Sequence, residues 1–164
     1  MSAPSLSADE AIAWLETTST NWRKVLNAHP ELLTQSCDVA GVKTVGELLQ
    51  HIIAVELRYT ERLAELPVSD YANIPFDSVD AIYATHDRTI KILRQVLASD
   101  IDWNQSIEYM TRSFGPARST RKSILFHLIF HGIRHYAQLA TLARQHSVKP
   151  DWPMDYICMD FTRV

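Results

Sequence analysis

Four segments of the chain place apolar residues at the intervals of an amphipathic helix. The first follows Ser7-Ala-Asp-Glu10, which has the spacing of a capping box, and its apolar positions include Ile12, Leu15 and Trp22. His29-Pro30 ends this segment, because the residue before a proline is disfavoured in helical geometry. The pattern therefore predicts a first helix between Ser7 and His29.

Two further segments have the same kind of pattern. The second begins with another capping box, Thr44-Val-Gly-Glu47, and its apolar stripe continues to Leu66 before Pro67. The third is expected to take Asp77 as its N-cap, and its stripe contains His86 among isoleucine and leucine residues. Both segments are predicted to be helices that bury one face against neighbouring elements.

A fourth helix is predicted to start near Ser119 or Thr120 and to end at about Gln145. One stripe of it advances by alternating steps of four and three residues, which keeps the stripe facing neighbouring helices. Its members are Ile124, Leu128, His131, His135, Gln138 and Leu142. Polar side chains therefore interrupt the middle of an otherwise buried apolar stripe, and His127 lies on the same side, one turn before His131.

The segment between helices three and four, residues 103–116, alternates Ile107 and Tyr109 with polar residues and ends at Gly115-Pro116. It is predicted to form a short hairpin or an extended loop. The C-terminal segment contains Trp152 and Tyr156 and is expected to pack across the helices. Four amphipathic helices with short connections predict an all-α fold, one four-helix-bundle domain over residues 1–164.

Composition and charge argue against several classes of partner. Apolar residues make up 46% of the 164 residues and charged residues 21%, which is typical of a globular domain. The net charge is −3 and no basic block occurs, so neither nucleic acid nor an anionic membrane surface is expected as a partner. Arginines such as Arg58, Arg62 and Arg94 are interpreted as parts of solvated helix faces.

Other features favour a cytoplasmic location. No apolar stretch approaches the roughly 20 residues of a membrane span, and the first residues lack the basic and apolar regions of a signal peptide. Cys37 and Cys158 lie far apart without a Cys-x-x-Cys spacing, so a disulfide framework is not expected. We interpret both cysteines as small buried or half-buried residues in a reducing compartment.

The histidines of the fourth helix suggest a metal site. His131 and His135 project from one face a turn apart, and burying imidazoles together costs free energy unless their nitrogens are satisfied. A divalent metal ion satisfies them directly, whereas hydrogen bonds within the core are the alternative explanation. A third ligand has to come from another helix, and spacing leaves two candidates, His51 on helix two and His86 on helix three. His127 is a further candidate, or a hydrogen-bonding neighbour of the site.

Two more polar residues are candidates for a catalytic role. Glu56 falls in the middle of the helix-two stripe, where a carboxylate needs a partner. It could orient an imidazole, accept a proton, or form a salt bridge with an arginine of another helix. Gln138, one turn beyond His135, could hydrogen-bond a metal-bound water, a substrate or a neighbouring backbone group.

Two segments resemble the signatures of the DinB/YfiT-like family of small metalloenzymes. In the first, His51 is followed five residues later by Glu56. The second is His127-Leu-Ile-Phe-His131-Gly-Ile-Arg-His135-Tyr-Ala-Gln138. The likeness extends from the first helix to Asp155-Tyr156, which resembles the family's usual ending.

This resemblance implies a four-helix bundle, frequently a homodimer, with a defined set of metal ligands. The ligands that it implies are His51, His131 and His135. It leaves His86 and His127 as non-ligands. Arg134 stands where many members have a histidine, and Tyr136-Ala137 replaces a frequent Arg-Gly, so the surroundings of the site are expected to differ.

The chemistry implied for such a site is that of a metal-dependent enzyme. Three neutral imidazoles leave a divalent ion with its full charge and at least one open position, as in catalytic sites. Zinc or nickel is expected first, with iron or manganese as further options. Some relatives resemble S-transferases or isomerases that use low-molecular-weight thiols such as bacillithiol, mycothiol or glutathione. Thiol-dependent transfer on a small molecule is therefore the first hypothesis. Metal-assisted hydrolysis is the second, and a metal-binding or stress-response module without turnover, or a bundle with purely structural histidines, is the third.

Overall fold

The computed structural model describes residues 4–112 and 114–162. Within them the chain forms four α-helices and one two-stranded hairpin. The helices are α1 (Ala8–Ala28), α2 (Val45–Leu63), α3 (Val79–Leu97) and α4 (Arg121–Gln145), and the strands are β1 (Ser106–Thr111) and β2 (Gly115–Thr120). The short 3₁₀ helices of the described residues are Pro30–Thr34, Val39–Gly41, Tyr71–Asn73 and Tyr156–Met159. The predicted helical fold is confirmed, and the hairpin adds a small sheet to it.

Each α-helix begins at a serine or threonine whose side chain caps the first turn. Ser7 forms the predicted capping box at the start of α1. Thr44 and Thr120 cap α2 and α4, and each accepts a hydrogen bond from a backbone N–H three residues later. For α3 the prediction was wrong by one residue: Ser78 rather than Asp77 is the N-cap, because the extended backbone at Ser78 lets its Oγ accept from the third N–H of the helix.

The end of α2 also differs from the prediction. The apolar stripe continues to Leu66, but the helix ends at Leu63. The reason is that Glu65 adopts a left-handed conformation with a φ of 56°. The N–H of Leu66 then donates to the carbonyl of Glu61, which closes the helix in the manner of a Schellman motif.

The core lies between the helices and is built around α2, which packs against both α3 and α4, while α1 packs against α4. Its largest fully buried side chains are Trp22, Tyr83 and Tyr136. The C-terminal segment covers this core as predicted. The ring of Trp152 lies edge-on to that of Trp22 at a centroid distance of 5.3 Å.

The hairpin is anchored to α2 by one arginine. β1 and β2 pair antiparallel along their whole length, which decides between the hairpin and the extended loop that the sequence left open. The guanidinium of Arg62 donates to the carbonyl of Met110 at 3.0 Å. Its Cζ also lies 4.9 Å and 5.3 Å from the ring centroids of Tyr59 and Tyr109. The hairpin therefore forms a fixed wall beside α2.

The two cysteines are free thiols, Cys37 buried and Cys158 half-buried, as predicted. Burial raises the pKa of the Cys37 thiol. Among the described residues, no helix combines the length and the apolar character that crossing a membrane requires.

Gly132 allows a close approach at the centre of α4. A Cβ at this position would lie 2.9 Å from Cδ1 of Leu15 and 3.2 Å from Oε1 of Glu56, both on fully buried side chains. In an exposed helix, replacing glycine by alanine stabilises by about 1 kcal/mol, but overpacking a core costs about 1–3 kcal/mol. We expect the cost of overpacking to exceed the gain in helix propensity, so that Gly132→Ala lowers the free energy of unfolding in urea by about 1 kcal/mol.

The matched control is Ala137→Gly, an exposed position on the same helix that reports helix propensity without a packing change. It should cost about 1 kcal/mol. A Gly132→Ala variant more stable than the parent protein would contradict the close approach.

Candidate metal centre

The packing of α2 against α4 brings three of the predicted histidines together. His51 lies on α2, and His131 and His135 lie one turn apart on α4. One ring nitrogen of each residue lies within 4.8 Å of those of the other two. The ring centroids are 4.4–4.9 Å apart. The three rings that the family resemblance implied as ligands therefore do converge, and we call the three residues the histidine triad.

The surroundings of the triad keep its imidazoles neutral. Burial is the main cause, and it lowers the pKa of His51 to about 4 and that of His131 to about 2. The positive charge of His135, when it is protonated, and that of Arg134 further lower both pKa values. Burial, followed by the charge of Arg134, also lowers the pKa of His135. All three rings are therefore uncharged at pH 7, the form in which imidazole binds metals.

One hydrogen bond determines which nitrogen of His135 is available. Its Nδ1 lies 2.6 Å from Oε1 of Gln138, and because an amide oxygen only accepts, Nδ1 carries the hydrogen. The Nε2 atom therefore keeps its lone pair, to which Nη2 of Arg134 donates at 3.0 Å, so a metal ion that binds this nitrogen has to displace the guanidinium from it. Gln138 thus orients a ring of the triad, as groups behind metal-binding histidines commonly do. Among the described residues its side-chain partner is this imidazole, which the sequence had not suggested.

The donor set fits a divalent metal ion. The buried Nδ1 of His131 has no hydrogen-bond partner in the part of the chain that the structure describes, so no described protein group satisfies that atom. Two imidazole nitrogens that share zinc are at most about 4.2 Å apart, twice the usual bond length. The widest pair in the triad, which lies within 4.8 Å, would close by up to about 0.6 Å, a movement that small side-chain rotations supply.

The triad lines a cleft of about 1330 Å³ between α2, α4 and the hairpin. Tyr59 and Tyr109 form part of its walls, and Glu47 is the one carboxylate among its described lining residues. Its arginines are Arg58, Arg62, Arg112 and Arg134. The interpretation of Arg58 and Arg62 as parts of solvated helix faces was wrong, because both are half-buried and face this cleft. Arg94 does lie on the surface, where it pairs with Glu16.

The sequence contains a signal for most of these residues. Each of the two helices presents one stripe to the cleft with steps of four, three and four residues. On α2 this stripe consists of His51, Val55, Arg58 and Arg62. On α4 it consists of His127, His131, Arg134 and Gln138. Arg112, at the turn of the hairpin, belongs to no such stripe and could not have been found in this way.

His86 and Glu56 lie outside the triad and bind each other. Nδ1 of His86 lies 2.6 Å from Oε2 of Glu56, and both side chains are buried between α3 and α2. Spacing alone had kept His86 open as a third ligand, but the structure brings His51 to the α4 pair instead. Of the partners considered for Glu56, the structure provides an imidazole, and it is not one of the triad.

His127 lines the cleft beside the triad. Its ring centroid lies 5.4 Å from that of His131 and 5.1 Å from that of Tyr59. Burial, followed by the charge of Arg134, lowers the pKa of His127. This histidine is therefore a neutral neighbour of the triad at pH 7.

Comparison with known proteins identifies the family. A model described as the DinB family matches residues 1–160, which is almost the whole chain. The chain therefore belongs to the DinB family, and the resemblance seen in its two sequence motifs is confirmed. A search of curated proteins gave no significant match.

The pair of Glu56 and His86 makes stability depend on pH. Burial alone would lower the pKa of His86, but the charge of Glu56 and its hydrogen bond outweigh burial and raise the pKa above its ordinary 6.5, with help from Asp87 and Glu16. The stabilisation by a charged His86 is therefore fully present below about pH 6.5 and is lost as the pH rises through the raised pKa. We expect the free energy of unfolding to fall over that alkaline range, and His86→Leu to remove this fall.

Near pH 6, His86→Leu should cost about 3–5 kcal/mol, because it leaves the buried Glu56 without its partner. The control is His29→Leu at a half-buried histidine whose side chain is 45% exposed and lies beside Glu31, and it should change stability by less than about 0.5 kcal/mol. Urea unfolding between pH 6 and pH 9 measures both effects. A parent protein that instead loses stability only toward acid would contradict the raised pKa.

Proposed function

We propose that this protein binds one divalent metal ion through His51, His131 and His135, and that the site is catalytic. The observation that carries this proposal is the convergence of three neutral imidazole nitrogens from two helices in the wall of a wide cleft. A purely structural histidine is expected to have its buried nitrogens satisfied, whereas Nδ1 of His131 has no hydrogen-bond partner among the described residues. Three protein ligands leave at least one position of an ion open, which is typical of catalytic sites.

The reaction that we propose first is thiol-dependent transfer on a small molecule. A bound divalent ion supplies positive charge that favours the deprotonated form of a thiol. The guanidinium groups of Arg134 and Arg112 add positive charge beside the same point, since both act on His51. The positive surroundings of the triad therefore favour a thiolate nucleophile over a neutral thiol.

Hydrolysis comes second because a carboxylate base is missing near the triad. Metal-dependent hydrolases commonly use a glutamate to take a proton from water. Among the described residues that line the cleft, the one carboxylate belongs to Glu47, whose Oε2 already accepts from the backbone N–H of Lys43. Glu56 is bound to His86 in the interior, so we assign it no catalytic role.

Other residues of the chain have supporting roles in this proposal. Gln138 holds the ring of His135 with Nε2 unprotonated, and a bound metal ion would replace Arg134 at that nitrogen. His127, a neutral imidazole in the same cleft, can accept the proton that a thiol releases. Zinc or nickel remains the first expectation for the ion. The homodimer, the cytoplasmic location and the identity of the thiol stay predictions.

Metal content tests the site. Protein prepared without an affinity tag and reconstituted with metal should carry about one divalent ion per chain by elemental analysis. His131→Ala and His135→Ala should abolish binding, because two imidazoles hold an ion far more weakly than three. His127→Ala is the matched control, since it removes an imidazole from the same cleft without touching the triad, and it should retain the metal.

A reading of zero for zinc, nickel, iron and manganese after reconstitution would reject the metal site. An equal loss of metal in His127→Ala would mean that the ligand set is wrong.

Thiol binding tests the reaction class. The metal-loaded protein should gain roughly 8 °C in Tm at a thiol concentration about 100-fold above Kd, and chelation should abolish the gain. Each thiol is compared with a partner that lacks the free thiol, such as glutathione with S-methylglutathione. If none of the thiols tested stabilises the metal-loaded protein, thiol-dependent transfer is contradicted and metal-assisted hydrolysis becomes the first hypothesis.

A further inference from the structure

We propose that Arg58, Arg112 and Arg134 form an anion-binding site in the cleft, and that the substrate or cosubstrate is a small organic molecule with a carboxylate or phosphate group. This inference rests on the proposed function in that it takes the cleft beside the triad as the substrate site.

The first observation is how the arginines are paired. Five arginines outside the cleft each form an ion pair with a carboxylate: Arg23, Arg88, Arg94, Arg118 and Arg121. None of the four arginines in the cleft has a carboxylate partner among the described residues. Outside the cleft, Arg144 is the one described arginine without a carboxylate partner, so unpaired positive charge is concentrated in this cavity, although the net charge of the protein is −3.

Arg62 has a structural role and is not part of the site. Its Nη1 and Nη2 donate to the carbonyls of Arg58 and Met110, and its guanidinium packs on two tyrosine rings. Burial and, after it, the charge of Arg58 lower the pKa of Arg62. These two like charges therefore lie close together without a carboxylate partner, an arrangement that an incoming anion would stabilise.

The remaining arginines have donors to spare. The Nε atom of Arg58 is buried and has no hydrogen-bond partner among the described residues, and a buried unpaired donor is costly unless a ligand satisfies it. The Cζ atom of Arg112 lies 4.4 Å from the centroid of Tyr71, so its guanidinium is held over a ring while its N–H groups remain available. Arg134 contacts His135 through Nη2 and thereby joins the anion site to the triad.

The chemistry of these groups defines the ligand. A guanidinium presents a planar fork of N–H donors that matches carboxylate and phosphate oxygens in bidentate geometry. Aromatic rings beside the arginines, such as Tyr59, Tyr71 and Tyr109, suit the carbon skeleton of an organic anion. A cleft of about 1330 Å³ has room for a molecule of that size.

Calorimetric titration of metal-stripped protein tests the inference. The metal is removed with phenanthroline, an uncharged chelator, which is then dialysed away so that it does not occupy the arginines. The probes are glutarate and glycerol phosphate, with glutaramide as the uncharged counterpart of glutarate. We expect at least one of the two anions to bind and glutaramide not to bind. Added salt should lower the affinity for the anion. Preference for glutarate or for glycerol phosphate identifies the anionic group.

Matched substitutions locate the binding. Arg134→Gln and Arg58→Met should each lower the affinity for the anion about tenfold or more. Arg144→Gln is the control, because Arg144 lies on the same helix as Arg134, also lacks a carboxylate partner among the described residues, and lies outside the cleft. Circular dichroism verifies that each variant keeps its helix content, and Arg134, which is exposed, provides a variant whose folding is not at risk.

The outcomes separate this inference from the proposed function. Equal binding of glutarate and glutaramide, equal affinities in all variants, or no binding of either anion at millimolar concentration would overturn the anion site, whatever the metal content. Arginine-dependent anion binding in a protein that takes up no metal would uphold the anion site and reject the metal function.

Discussion

The close contact of α2 and α4 is the constraint on which the rest of the structure depends. At Gly132 the absence of a side chain leaves room for Leu15 and for Glu56 of α2 against the backbone of α4. His131 precedes this glycine, and its ring faces His51 across the same helix pair. If the helices were further apart, the imidazoles of α4 could not share a ligand with the imidazole of α2. The interior packing and the histidine triad are therefore consequences of a single helix–helix distance.

Helix α2 separates two polar systems that a sequence does not distinguish. One is the cleft with the triad and the arginines, which is open to small molecules. The other is the buried contact between Glu56 and His86, where each group satisfies the other away from water. Both systems place a histidine in the contact between two neighbouring helices. Their chemistry differs because the cleft has room for a ligand, whereas packing closes the space around Glu56 and His86.

The helices and the unusual α4 stripe were predictable because capping residues and periodicity are local properties of a chain. Ser7, Thr44 and Thr120 mark three of the four helix starts, and His131 and His135 stand out against an apolar background. The choice between His51 and His86 could not be made from spacing, since periodicity assigns a residue to a face of its helix but does not say which neighbour covers that face. The resemblance to a family made that choice.

Arginines in the cleft escaped prediction for a related reason. A polar residue on a helix is expected to contact solvent, and the wall of an open cavity contacts solvent just as the outer surface does. The sequence therefore could not distinguish the two, and Arg58 was assigned to the outer surface instead of the cleft. Arg112 depends on how the hairpin folds over α2, and that is a long-range contact that no local pattern encodes. Similarly, the left-handed backbone at Glu65, which ends α2 early, follows from closure of the helix rather than from a glycine.

The hairpin gives this architecture a modular character. Among the described residues its two strands pair only with each other, and its side-chain contacts with α2 include Arg62 and the tyrosine rings on either side of it. Mutations at its turn can therefore reshape one side of the cavity while the buried interior and the imidazoles keep their positions. Divergent selectivity among proteins with the same scaffold can arise in this way, with a peripheral insert evolving faster than the reactive centre that it borders.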